Sequence, residues 1–300
     1  MISIKQYISM IYDEFKKYIE EKDDLCILKT LNYQAGQKPD YTNIHIQQLY
    51  LLRYAFAYAF EYKTMFETLF RRVKFKDIIE VASIGCGNIV DYWGLVEALE
   101  KDGNSECKIV YRGVDTIDWN YKIETREQDE FVFRNTNASS VFMKTSSLIS
   151  DVYIFPKSIS EFSNQEFQDI CEGFKQKEIR KDKIHILISL RTDQGSMDRD
   201  IERSEKIVEA IRQNGFSTKD NPTYYTHYVS EDVGIKKIDY TFEYPDEAIG
   251  LLRDLRKKCN TFINNGENCS SDCEKLSRYP ILKARNLRYQ VLTFDRKDSI

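Results

Sequence analysis

The chain reads as an α/β protein with a mostly parallel sheet, an antiparallel closing strand and an N-terminal helical extension. Three observations predict this. After Arg72, short apolar strands alternate with amphipathic helices, the texture of a parallel sheet covered on both faces. Before Arg72 the pattern is helical only. Near the end, "RYQVLTF" forms a last strand, reached through a helix and a cysteine-bearing stretch.

Ile4 to Glu21 spaces its apolar residues at helical intervals, and Tyr41 to Arg72 forms a second helix. Thr42 or Asn43 is a plausible cap for it, and its middle, "LYLLRYAFAYAFEY", is apolar enough to be buried on several sides. Tyr50, Tyr54, Tyr58 and Tyr62 recur every four residues and share one stripe, suited to packing or, for one or two of them, to lidding a ligand. "DIIEVASIG", "CKIVYRGVD", "DEFVFRN", "SDVYIFP" and "KIHILISL" are strands. Between them lie the helices "YWGLVEALEK" and "SNQEFQDICEGFK", the second opened by a capping box of Ser163 and Glu166. "RDIERSEKIVEAIRQNG" is a helix stopped by Gly215. "KIDYTFEY" alternates with period two, and it and "RYQVLTF" are expected to finish the sheet as adjacent antiparallel strands around the helix "PDEAIGLLRDLRKKC". The boundaries this implies are a helical extension over 1–75 and an α/β domain over 76–300 with an insertion at about 245–287.

With 42% hydrophobic and 31% charged residues in 300, the composition is that of a globular protein with an adequate core, and no apolar run is long enough to span a membrane. Acids early in the first helix are unlike a secretory leader, so the seven cysteines are expected to be reduced thiols and the location cytoplasmic. A net charge of −4 argues against bulk attraction to nucleic acid. The later part is nonetheless basic, with Arg253, Arg256, Lys257, Lys258, Lys275, Arg278, Lys283, Arg285 and Arg288. A solvated face and a patch for RNA both account for such a run.

Gly85 and Gly87 sit where the first parallel strand ends, the place at which open α/β sheets bind ligands. A dinucleotide fingerprint would place a third glycine where Val90 stands, and no Gly-Lys-Ser/Thr of a phosphate loop is present.

"IGCGNIVDYWGL" resembles the first motif of class I S-adenosylmethionine-dependent methyltransferases, whose glycine loop passes under the amino-acid part of the cofactor. Asp115 in "YRGVD" matches the acid that holds the ribose hydroxyls in that family; a carboxylate can accept two hydrogen bonds from a diol. The resemblance spans roughly Asp77 to Phe294 and implies a Rossmann-like methyltransferase sheet and S-adenosylmethionine as cofactor. It implies Ser83, Gly85, Cys86, Gly87, Asp115 and Phe155 around that cofactor. The chain departs from the family pattern at three places. Ser83 stands where an acid is usual, Ile89 where a small residue is usual, and Arg134, Asn135 and Thr136 where an acid would close the third strand.

"DVYIFPKSISEF" falls beside the methyl group in such a fold, with Phe155 and Pro156 as wall and Lys157, Ser158 and Glu161 near the acceptor. Lys157 and Glu161 are the catalytic candidates. Neither the Asn/Asp-Pro-Pro-aromatic motif nor a Pro-Cys nucleophile is present, so the expected reaction is transfer to an oxygen or nitrogen acceptor. The alternative is an S-adenosylmethionine- or nucleotide-binding interaction protein with little or no catalysis. The tyrosine-rich helix and the cysteine insert are similar in layout to methyltransferase-like proteins of small ribosomal subunit assembly.

Cys259, Cys269 and Cys273 cluster in the insert without a Cys-x-x-Cys. Structural zinc and iron–sulfur sites take four ligands, and a fourth would have to come from afar, for instance His227. The expectation is ordinary thiols and no metal, with Cys86, Cys107 and Cys171 in packing roles.

Overall fold

The computed structural model describes residues 1–22, 24–31, 39–227, 243–265, 273, 276–284 and 287–297. Along the chain run α1 (Ile4–Glu21), α2 (Ile44–Phe70), β1 (Ile78–Ile84), α3 (Val90–Lys101), β2 (Lys108–Asp115) and β3 (Glu130–Asn135). Then come α4 (Ala138–Lys144), β4 (Ser147–Leu148), β5 (Val152–Pro156), α5 (Asn164–Gln176), β6 (Glu178–Ile179) and β7 (Lys183–Ser189). The last part holds α6 (Gln194–Gln213), β8 (Phe216–Ser217), β9 (Thr226–His227), α7 (Asp246–Asp254), α8 (Asn260–Asn265) and β10 (Arg288–Arg296). Two compact units divide these elements. The first is Met1–Phe60, Trp119–Glu124 and Asp232–Ala284; the second is Glu61–Asp118, Thr125–Glu231 and Arg285–Ile300.

In the first unit, Ser3 caps α1: its hydroxyl accepts the Gln6 N–H at 3.2 Å, and the Gln6 carbonyl oxygen accepts the Ser3 N–H at 2.9 Å. The buried stripe of α1 (Ile4, Tyr7, Ile8, Ile11, Phe15, Tyr18, Ile19) follows helical spacing, so one face carries the packing. Asn43 caps α2, accepting the His45 N–H at 2.9 Å. The late segment is fastened to α2 by backbone carbonyls: Leu52 accepts the Tyr244 hydroxyl at 2.6 Å and Arg53 accepts the Ile281 N–H at 2.9 Å. Tyr50, Tyr54 and Tyr58 are half-buried and their rings form a row, Tyr54 stacking on Tyr58 at 5.8 Å.

The helix expected over 245–259 is α only as far as Asp254; Leu255–Lys258 tighten into a 3-10 turn. Its cations are engaged locally. Arg253 and Lys257 pair with Asp254, and the Arg256 guanidinium lies 4.1 Å over the Phe262 ring. Lys275 and Arg285 lie outside the described residues.

The second unit is built on one sheet of order β3-β2-β1-β5-β7-β10-β8, with β9 paired to β10. β1 runs parallel to β2 and β5, and β5 runs parallel to β7. β10 is antiparallel to both β7 and β8 and lies between them. This is the mostly parallel sheet with an antiparallel closing strand that the sequence predicts. The central position of β7 follows from its sequence: every residue after Lys183 is buried, so both faces must be covered. Tyr153, Phe155, Ile186, Ile188, Leu292 and Phe294 share one apolar cluster with Phe167, Ile170 and Phe174 of α5 and Ile207, Val208 and Ile211 of α6. Of the strand expected over 237–244, all but Glu243 and Tyr244 lies outside the described residues, and the strand beyond β10 in the sheet is Phe216–Ser217. Among the described residues, no helix is long and apolar enough to cross a membrane.

Candidate cofactor-binding site

The chain leaves β1 through a turn with three left-handed residues: Gly85 (φ +75°), Gly87 (φ +53°) and Ile89 (φ 60°). Glycine at 85 is demanded twice, by its φ and by the neighbouring chain, since an added Cβ would stand 2.5 Å from the Ser158 Cβ. Ile89 has no such freedom. A β-branched residue in this region is strained by roughly 1–3 kcal/mol, and its burial holds it there at the N-cap of α3.

The turn is locked to the tip of β2. The Gly85 and Cys86 N–H groups donate to the Val114 carbonyl at 2.8 and 3.1 Å. The Gly87 N–H donates to Asp115 Oδ2 at 2.8 Å, and the Ile117 N–H donates to Oδ1 at 2.8 Å. Each carboxylate oxygen thus takes one backbone donor, and Asp115 is half-buried. Cys86 is buried, its sulfur against Gly113.

Ser83, where an acid was the family's expectation, is fully buried on β1. A carboxylate nevertheless stands close by, in the first turn of α3. Asp91 accepts the Tyr111 hydroxyl at 2.9 Å on both oxygens. Burial raises its pKa to about 6, against the opposing pull of Ser83, Tyr111 and the helix N–H groups. The Ser83 hydroxyl makes no well-aligned hydrogen bond of its own.

The wall after β5 turns on Lys157, another left-handed residue (φ 59°). Its ammonium is buried and pairs with the Glu61 carboxylate at 3.0 and 3.1 Å, and it also donates to the Leu190 carbonyl. The Ser189 hydroxyl donates to the same carboxylate. Complete burial raises the pKa of Glu61, opposed first by the Lys157 charge. Ser158 donates to the Ile84 carbonyl, fixing the wall to the end of β1. Glu161 is partly exposed and pairs with Arg191. Phe155 is fully buried in the apolar cluster behind. Beside this wall Asp200 accepts the Arg191 N–H at 2.7 Å and has its pKa raised by burial.

Gly85, Cys86, Gly87 and Asp115 are therefore in one hydrogen-bonded assembly, with Ser158 against it. Lys157 and Glu161 are in separate ion pairs. Asp91, Tyr111, Glu61 and Asp200 were not singled out by sequence. Glu61 had a signal, a lone acid inside an apolar helical run; Asp91 had a weaker one, an acid at the first turn after the glycine loop.

No protein-family model and no curated protein matches the chain. Solved structures similar to it include a plantazolicin methyltransferase in complex with SAH (12% identity, TM-score 0.41, 96% of this chain and 99% of that one). A SAM-dependent methyltransferase from Archaeoglobus fulgidus has 16% identity and a TM-score of 0.35, over 78% of this chain and 94% of that one. The 1,6-didemethyltoxoflavin-N1-methyltransferase of Burkholderia thailandensis has 10% identity and a TM-score of 0.39, over 79% of each chain. Values this low assign neither substrate nor site residues to this chain.

Proposed function

We propose that the second unit binds S-adenosylmethionine at the 85–89 turn and transfers its methyl group to an oxygen or nitrogen acceptor. One observation carries the reading: the glycine turn and the Asp115 carboxylate are joined at the carboxyl ends of adjacent strands. A carboxylate is the acceptor that a ribose diol needs. Ser83, Cys86 and Phe155 shape the floor and rear of the site, Gly85 and Gly87 allow close approach, and Asp115 takes the hydroxyls. The cofactor would supply an electrophilic methyl on a sulfonium, leaving as a thioether while the acceptor loses a proton to a base or to water. Glu161 is the group suited to orient the acceptor or receive that proton. Lys157 is suited to positioning: with its ammonium on Glu61, it fixes the turn that carries Ser158 and Glu161.

The test is calorimetry with S-adenosylhomocysteine. Asp115→Ala is expected to weaken binding by roughly 1.5–3 kcal/mol through lost hydrogen bonds, and Gly87→Val to abolish it. Unchanged affinity in both folded variants would refute the placement. Labelled methyl transfer to an extract fraction, reduced in Glu161→Gln at unchanged cofactor affinity, supports catalysis. A binding-only role is favoured by one feature, the commitment of the Lys157 amine to Glu61, and tight binding without transfer to any fraction would establish it.

A further inference from the structure

In the first unit, two thiols and a carboxylate from distant parts of the sequence come together. Asp24 and Cys26 lie in the segment that leaves α1; Cys259 stands between the turn after α7 and α8; Cys273 lies beyond α8. The ligand atoms of Asp24, Cys26 and Cys259 all lie within 4.8 Å of one another. Cys273 is buried in the same unit. We propose that Asp24, Cys26 and Cys259 hold one zinc ion, which ties the start of the chain to the late insert within this unit.

The spacing suits the ion. Zinc–thiolate bonds of about 2.3 Å in a tetrahedron put sulfur atoms about 3.8 Å apart, and the ligand atoms of Asp24, Cys26 and Cys259 already lie within 4.8 Å of one another. The chemistry of the donors suits it too. Thiolate sulfur with one carboxylate oxygen is a zinc set, while calcium and magnesium want oxygen alone. Zinc binding would release the proton of each thiol as its sulfur binds. The insert's Cys259 is thus joined by two ligands of the N-terminal segment, Asp24 and Cys26, and His227 belongs to β9 in the second unit. Cys269 lies outside the described residues and is not part of the proposed set.

The experiment uses the full chain, purified without a histidine tag from zinc-replete cells, with metal and sulfide quantified. The expected result is about one zinc per chain, retained in Cys171→Ser and lost in Cys26→Ser and in Cys259→Ser. Cobalt added to the metal-free protein is expected to give intense thiolate charge-transfer absorption that weakens in Cys26→Ser and in Cys259→Ser. Because a cysteine variant can simply unfold, Asp24→Asn, altered at an exposed position, is the second arm: zinc affinity in competition with a chelating dye should fall at least ~10-fold. Four results would overturn the proposal: no zinc above background, zinc retained in both cysteine variants, iron with acid-labile sulfide in its place, or a Cys26–Cys259 disulfide in alkylated peptides.

Discussion

Asp91 keeps its proton where the unfolded chain has already lost its own, because burial lifts its pKa from 3.8 to about 6. The native state thus binds more protons than the unfolded state between those values, and stability falls as pH rises through that window. The contribution is fully present below about pH 4 and gone above about pH 6; a shift of about two units at about 1.4 kcal/mol each sets it near 3 kcal/mol. Asp91→Asn cannot titrate. Its stability relative to the wild type should therefore improve by about that amount between about pH 4 and about pH 7. Urea unfolding at the two pH values measures the difference, and parallel profiles would show that Asp91 does not titrate as a buried acid. The role of this residue is set by Tyr111, twenty positions away in sequence but adjacent across the helix–strand contact.

At the scale of elements, α2 and the turn after β5 are joined by Glu61 and Lys157, both buried. Glu61→Gln leaves an ammonium without its counter-charge, and a loss of about 3–5 kcal/mol is expected in chemical denaturation. The pair Glu61→Leu with Lys157→Met should recover most of it, since two apolar side chains need no partner. A double variant as unstable as the single one would mean that the pair's geometry, rather than its charge, holds the turn. Much of this layer was legible in sequence. β1, β2, β7 and β10 announce themselves as apolar runs, and the Ser163–Glu166 box marks the start of α5 because capping is local chemistry. β8, at two residues, is too short to carry a period, and its place beside β10 comes from pairing alone. The site divides in the same way. Gly85, Gly87 and Asp115 are residue types that a turn and a diol require by themselves. Asp91, Glu61 and Asp200 are ordinary acids until tertiary burial shifts them, and no window of sequence contains their partners.

For the molecule as a whole, a ligand that binds only the folded second unit stabilises it by mass action. S-adenosylhomocysteine at about 100 times its dissociation constant should add about 2.7 kcal/mol, which raises the melting temperature by about 5–10 °C at about 2–4 °C per kcal/mol. Differential scanning calorimetry should place the shift in the transition that unfolds the sheet, and no shift at saturation would contradict the proposed cofactor. Ile89 and Lys157 give that binding a time course. Both are non-glycine residues held left-handed, and such conformations persist only where the surrounding structure dictates them. Asp115 already grips the Gly87 N–H, which ties the turn to the tip of β2. The cofactor then meets a finished surface instead of waiting for a rare one. In stopped-flow fluorescence the observed rate should climb in proportion to ligand concentration, as one exponential without a plateau, because no slow rearrangement stands between collision and capture.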